Sequence, residues 1–218
     1  MRKLVKPMAR RAVELSSRGT ERGAHITRFV MYDRLAEVGR GLRPAAGART
    51  LSISRSTQLC GVLGLGETKI TEADYPEVNI LSLPYADGSF DYVVSDQVFE
   101  HIEGNPFTAM AETLRVLRPG GVAVHTTCFI NPVHAWPGDF WRFTPEALAL
   151  MVGDRAEVVE CGGWGNPYVW LVAGLGLRKT PVPRSPRHPL HWAATKNSPT
   201  WPVATWVVAR RPQAEVDA

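Results

Sequence analysis

Residues 83–102 read LPYADGSFDYVVSDQVFEHI, and this stretch decides the fold. Ala86-Asp87-Gly88-Ser89 is a turn by composition. Residues 90–95 then form a short apolar run of the kind buried on both faces of a sheet. Downstream, Asn105-Pro106 marks a helix start, because Asn accepts a free first-turn N–H and Pro fits the first helical position. Phe107, Met110, Ala111, Leu114 and Leu117 lie on one face of that helix, Arg115 and Arg118 lie near its negative end, and Pro119-Gly120-Gly121 stops it. Residues 122–129 are a second buried strand. Strand, helix and strand in this order imply a right-handed crossover in a parallel sheet.

Working outward, residues 50–54, 69–74 and 78–81 read as three earlier strands, with a short helix over 57–63. Residues 24–42 carry a helical apolar stripe, and residues 1–22 read as a helix or arm. Past the central unit come a helix from Thr144-Pro145-Glu146 to about Val152, a strand over 156–161 and a last strand over 202–209. Residues 162–200 are irregular, rich in Gly, Pro, Trp and His, with an apolar stretch over 168–177. The organisation expected is a basic arm and helical cap over 1–49, a catalytic domain over 50–211 with 162–200 as an irregular insertion, and a tail over 212–218.

The 83–102 stretch closely resembles class I S-adenosylmethionine-dependent methyltransferases of the ubiquinone and menaquinone type. Its Leu-Pro-aromatic turn, Asp-Gly-Ser-Phe-Asp turn, buried strand and Glu-His pair follow that family's order. The Leu117-Arg118-Pro119-Gly120-Gly121 stop resembles the same family's signal before its fifth strand. Residues 125–148, HTTCFINPVHAWPGDFWRFTPEAL, resemble an uncharacterised bacterial subgroup. The resemblance implies a Rossmann-like α/β fold with helices on both faces of a seven-stranded, mostly parallel sheet whose last strand is antiparallel. It implies S-adenosyl-L-methionine as cofactor.

Open α/β sheets bind ligands outside the carboxyl ends of their strands. Asp74 stands 20 positions after Ser54, close to the interval that places a carboxylate on a ribose diol; the competing reading is a turn-forming Asp before Tyr75-Pro76. Tyr75 is positioned to pack on an adenine. By the family's pattern Asn79 meets the adenine amino group, beside Ile80. Asp96 and Gln97, just past the fourth strand, are expected near the methionine end. The family's acidic-x-Gly-x-Gly loop is replaced here by Ser52-Ile53-Ser54-Arg55-Ser56, with no glycine. Ser54, Arg55 and Ser56 are assigned to the cofactor, with Arg55 able to pair with its carboxylate; the alternative is that cofactor binding is altered or lost.

His101 is either the general base for the acceptor or a capping residue, and His134 is the second catalytic candidate. The loop over 131–143, with His134, Trp136, Asp139, Trp141 and Arg142, offers polar groups beside aromatic planes, which suits a sugar or other ring-bearing acceptor; a purely structural loop is the competing reading. His125, Cys128 and His134 match no standard zinc signature, and His125 and Cys128 point to opposite faces of a strand, so no metal is expected. The remaining tryptophans, among them Trp164, Trp192, Trp201 and Trp206, are assigned to the core.

Charge leaves a second substrate class open. Residues 1–55 hold 13 Lys/Arg against 4 Asp/Glu, whereas the whole chain carries a net charge of only +4. A basic end suits phosphate contacts, so an RNA methyltransferase is an alternative, as is a non-catalytic relative. Residues 1–24 have no aromatic side chain to stack on bases. Three scattered cysteines suggest no disulfide framework and fit a reducing cytoplasm. No apolar run reaches the roughly 20 residues that cross a bilayer, and no signal peptide is read. The expected partner is a small-molecule acceptor. Oligomeric state is not legible.

Overall fold

The computed structural model describes residues 2–134 and 137–213. In chain order the elements are α1 (Arg2–Ser16), β1 (Arg22–His25), α2 (Phe29–Leu42), β2 (Arg49–Ile53), α3 (Thr57–Val62), β3 (Lys69–Ala73) and β4 (Phe90–Asp96). A 3-10 turn (Phe99–His101) precedes α4 (Pro106–Arg115), β5 (Leu117–Cys128) and α5 (Pro145–Val152), and a second 3-10 turn (Gly153–Arg155) follows α5. Then come β6 (Glu157–Trp164), α6 (Tyr168–Gly174), β7 (Pro181–Pro183), α7 (Pro189–Thr195) and β8 (Ala204–Arg210). No helix among the described residues is long and apolar enough to cross a membrane.

The main sheet runs β3, β2, β4, β5, β8, β6 in space. β3, β2, β4 and β5 are parallel neighbours, and β8 lies antiparallel between β5 and β6. Successive side chains leave a strand on opposite faces, and the packing follows that rule. Tyr92, Val94, Val122, Val124, Trp206 and Val208 face α2, α3 and α7. Val93, Ala123, Val207 and Ala209 face α4 and α5. Both faces are covered, as the near-continuous apolar strands require.

The helix starts form as their sequences dictate. Asn105 accepts the Phe107 N–H at 3.0 Å with Pro106 following, and Thr144 accepts the Ala147 N–H at 3.2 Å with Pro145 following. Arg115 does more than sit at a negative helix end. It donates to Glu112 and to the carbonyls of Leu83 and Tyr85, while Glu112 accepts the Leu83 N–H, so α4 fixes the turn that leads into β4.

Five expectations need correction. The strand over 78–81 does not form, so the main sheet has six strands rather than seven. Local hydrogen bonding captures that segment: Asp74 accepts the Val78 N–H, the Asn79 side chain accepts the Leu81 N–H, and Asn79 accepts the Ser82 N–H on its carbonyl. The helix over 24–42 begins only at Phe29, because residues 22–25 pair with 181–183 in a separate two-stranded antiparallel sheet. Helix α4 ends at Arg115, and Leu117 already pairs with Phe90. Residues 162–200 are more ordered than composition suggests, holding the end of β6 with α6, β7 and α7. Trp164 and Trp206 are core residues, but Trp192 and Trp201 are exposed.

Candidate functional site

One cavity of about 740 Å³ opens at the carboxyl ends of β2, β3 and β4. That is where an open α/β sheet presents its loops, and the volume suits a nucleoside-sized ligand. Ser54, Arg55, Asp74, Tyr75, Asn79, Ile80, Gln97 and His101 all line it. Asp74 and Asn79 therefore share one cleft, although the strand expected between β3 and β4 is absent.

The backbone explains how the glycine-free loop works. Ser54 and Arg55 have φ values of 51° and 62°, in the left-handed region where glycine is the usual occupant. Gln97, just past β4, has φ 60°. Among the described residues, four non-glycines have positive φ, and three of them line this cavity. The fourth, Arg43, caps a helix. Left-handed backbone costs an ordinary residue roughly 1–2 kcal/mol, and such strain concentrates at functional sites. The loop thus keeps a glycine-like course without glycine. Asp74 holds it, accepting the Arg55 N–H on Oδ1 at 2.9 Å. Gln97 is held by donation from its N–H to the Thr126 carbonyl at 2.9 Å.

Other predicted residues serve the frame. Ser56 is buried; its hydroxyl donates to the Ile53 carbonyl and accepts the Asp96 N–H at 2.7 Å, which pins the tips of β2 and β4 together. Asp96 does not line the cavity. Its carboxylate accepts from Thr126 Oγ1 at 2.6 Å, from the Tyr32 hydroxyl and from Arg28. It fastens α2 to the sheet. Tyr75 stands exposed at the rim, and Ile80 is buried. The Asn79 side-chain oxygen already accepts the Leu81 N–H at 2.9 Å, leaving its second lone pair and its NH₂ group for a ligand.

The loop over 131–143 reaches the cavity through Pro137, Gly138 and Phe140, not through its charged residues. Asp139 and Arg142 pair internally; Asp139 also accepts the His134 N–H at 2.8 Å, and Arg142 reaches the carbonyls of Asn131 and Pro132. The Arg142 guanidinium holds the Asp139 carboxyl well below the usual carboxylate range. The Trp141 indole donates to the Ile102 carbonyl at 2.9 Å and stacks on Phe143. Trp136 lies outside the described residues. The loop is clamped to the 3-10 turn, since the Phe140 and Trp141 N–H groups both donate to the Glu100 carbonyl.

His101 lines the cavity, and its Nδ1 donates to the Gly138 carbonyl, which leaves Nε2 as the acceptor nitrogen of the neutral ring. His134 sits edge-on to His101, with ring centroids 5.0 Å apart. Behind both lies Glu100, which sequence reasoning missed. Its carboxyl is fully buried, with Oε2 accepting from Thr127 at 2.8 Å and Oε1 without a partner. Burial raises its pKa and lowers that of His134. His125 and Cys128 do not join this cluster. His125 hydrogen-bonds Ser95 and Thr113 in the interior, and the Cys128 thiol is pushed up to about 12 by burial. The basic N-terminal third is partly neutralised internally: Arg28 pairs with Asp96, and Arg34 pairs with Glu37 and Glu160.

Residues 38–125 match a family model described as a methyltransferase domain. An uncharacterized methyltransferase of Mycobacterium avium is 50% identical over 87 residues, covering 40% of this chain and 32% of that protein. A Mycolicibacterium smegmatis protein named "probable S-adenosylmethionine-dependent methyltransferase" is 34% identical over 113 residues, covering 47% of this chain and 43% of that one. The matched segments thus span less than half the length of these relatives. Among solved structures, the Burkholderia thailandensis 1,6-didemethyltoxoflavin-N1-methyltransferase with bound S-adenosylhomocysteine superposes with TM-score 0.53 at 13% identity, covering 84% of this chain and 78% of that one. A Haemonchus contortus phosphoethanolamine N-methyltransferase in complex with S-adenosyl-L-methionine gives TM-score 0.54 at 14% identity, covering 83% of this chain and 53% of that one. At those identities the likeness is one of fold.

Proposed function

We propose that the chain is a class I S-adenosylmethionine-dependent methyltransferase and that it transfers a methyl group to an oxygen or nitrogen of a small molecule, a sugar or other ring-bearing metabolite. The observation that carries the reading is the meeting of Asp74, Asn79 and three strained main-chain positions, Ser54, Arg55 and Gln97, on one cavity at the strand ends.

The residues present fit the cofactor. Asp74 spends one oxygen on the Arg55 N–H and keeps the other for a ribose hydroxyl. Tyr75 and Ile80 flank the place of the base, and Asn79 offers it hydrogen bonds. The Arg55 guanidinium is available to the cofactor carboxylate. When bound, the cofactor supplies an electrophilic methyl on a sulfonium. The protein's task is to align the acceptor with it and to keep water out. His101 Nε2 takes the proton from the acceptor group, its ring held in one tautomer by the Gly138 carbonyl. Pro137, Gly138 and Phe140 wall the acceptor side, and Asp139 with Arg142 braces that wall from behind.

Calorimetric titration with S-adenosylhomocysteine tests this reading. Wild type is expected to bind in the micromolar range, Asp74→Ala at least ~10-fold more weakly, in line with loss of a charged hydrogen bond, and His134→Ala as well as wild type. Absence of binding by wild type overturns it. Equal binding by Asp74→Ala overturns the ribose assignment.

A further inference from the structure

Glu100, His101 and His134 are brought together by a turn and a loop 34 positions apart in the chain. Each offers one ligating atom, and the three atoms lie within 4.8 Å of one another. We propose that these residues form a binding site for a divalent first-row transition ion of the zinc class, at the acceptor wall of the cavity, with a coordination position open to the acceptor.

Four observations carry the assignment. Glu100 Oε1 is a buried carboxylate oxygen with no partner, 3.9 Å from His134 Nε2. A buried oxygen of that kind is costly unless something cationic or a donor meets it. His101 commits Nδ1 to the Gly138 carbonyl, which orients Nε2 as its ligating atom. His134 has Nδ1 3.2 Å from the Pro132 carbonyl and 3.3 Å from the Asp139 carboxylate, which also accepts the His134 backbone N–H, with the Asn131 amide beside the ring and Nε2 3.9 Å from Glu100 Oε1. Metal-ligating histidines carry this kind of outer partner on the second ring nitrogen, here a backbone carbonyl for each. Finally, Glu100 Oε2 is hydrogen-bonded by Thr127, so the carboxylate presents only Oε1.

Two imidazoles and one carboxylate leave a fourth position free, the pattern of catalytic rather than structural sites. That donor set favours zinc, iron or cobalt over magnesium. Donors on one tetrahedral ion at about 2.0–2.1 Å lie roughly 3.4 Å apart, so Glu100 and His134, at 3.9 Å, need close by only about half an ångström on loading. Spacing alone pairs His134 with His125 and Cys128, which point elsewhere. The true partners are hidden in the Glu-His pair of residues 100–101. The role of the ion rests on the methyl-transfer reading: a hydroxyl ligated there loses its proton to solvent near neutral pH and becomes the nucleophile. The His101 lone pair is then spent on the ion, and coordination replaces it as the means of activating the acceptor.

The test is cobalt(II) titration of untagged protein followed by visible absorbance, with zinc(II) competition and magnesium as the control ion. Wild type is expected to bind about one cobalt per chain, with ligand-field bands that zinc abolishes and magnesium does not. His134→Ala should lose the bands, Glu100→Gln should weaken binding at least ~10-fold, and Asp139→Asn should weaken it by ~10–100-fold through its effect on His134. His191→Ala, on α7, should match wild type. Thermal melting of each variant identifies any that fail to fold, and Glu100→Gln, nearly isosteric, covers the case where His134→Ala does. No bands with wild type, or bands unchanged in both folded His134→Ala and Glu100→Gln, would overturn the proposal. S-adenosylhomocysteine binding, measured on the same samples, separates failure of the metal site from failure of the cofactor reading.

Discussion

The two walls of the cavity are built by opposite means. On the β2–β3 side the parts are main chain: Ser54 and Arg55 in left-handed conformations, a turn over 74–82 closed on itself, and side chains largely in contact with water. On the β4–β5 side the parts are polar side chains drawn out of water: the fully buried Glu100, held by Thr127 with one oxygen unpaired, and Asp139, gripped by a partly exposed Arg142. One wall holds unfavourable torsion, the other unfavourable desolvation. The first suits a ligand bound through backbone and a sugar, the second a centre whose charges must be fixed before the acceptor arrives.

The contrast can be broken at four places. The largest effect belongs to the desolvated wall. Asp139→Ala takes away the carboxylate that Arg142 and the His134 N–H share, and it should lower unfolding stability by about 1.5–3 kcal/mol in urea denaturation, the range for hydrogen bonds to a charged group. A loss below ~1 kcal/mol would mean that the 131–143 loop is held by Trp141 and Phe143 instead.

Next is pH. His125, beneath Phe99 and the 3-10 turn, has its pKa lowered by burial from 6.5 to about 3. The folded state keeps it neutral while the unfolded chain protonates below 6.5. Its stabilisation is therefore complete above pH 6.5 and falls by ~1.4 kcal/mol per pH unit below it, about 2 kcal/mol by pH 5. His25, lowered to about 4 by burial and by Arg28, adds a slope of the same sign. His125→Gln should remove its own share, seen as a shallower fall in denaturation midpoint between pH 7 and 5. An unchanged slope rules out His125 as the source.

Third, Arg55→Ala should weaken S-adenosylhomocysteine binding by ~3–10-fold if its guanidinium meets the cofactor carboxylate, while leaving stability nearly unchanged. Unaltered affinity would reduce Arg55 to its backbone role. The smallest effect is expected at Ser54→Gly, which relieves left-handed strain against the greater freedom of glycine in the unfolded chain. It should stabilise by at most ~1 kcal/mol with cofactor affinity retained. Destabilisation beyond that would show that the Ser54 side chain, not the torsion, maintains the loop.

Much of the sheet was legible because its signals are local. The Asp87-Gly88 turn, the apolar run into Asp96 and the Asn105-Pro106 cap each act within a few residues, and each forms where its sequence places it. The missing strand over 78–81 was not legible, since Asn79 and Asp74 capture that backbone with side-chain and turn bonds that apolar pattern does not register. The β1–β7 pair joins Arg22 to Pro183 and escapes any window. At the site, the interval and the family's order pointed to Asp74 and Asn79, and both line the cavity. The left-handed torsions were not, because a loop lacking glycine hides them. Asp139 and Arg142 were read as facing an acceptor, yet charged residues three apart satisfied each other first. Glu100 was read only as half of the Glu-His pair and given no site role, because burial, which gives it significance, is a property of the fold and not of its neighbours in sequence.

Strand β8 enters between β5 and β6, pairing with both along nearly its whole length, yet it follows every other strand in the chain. During synthesis β5 and β6 must therefore wait with their inner rims unzipped until residues 204–210 emerge from the ribosome, a window in which rival chains can stitch onto them. Nascent-chain handling, more than equilibrium stability, is the quantity that this topology puts at risk.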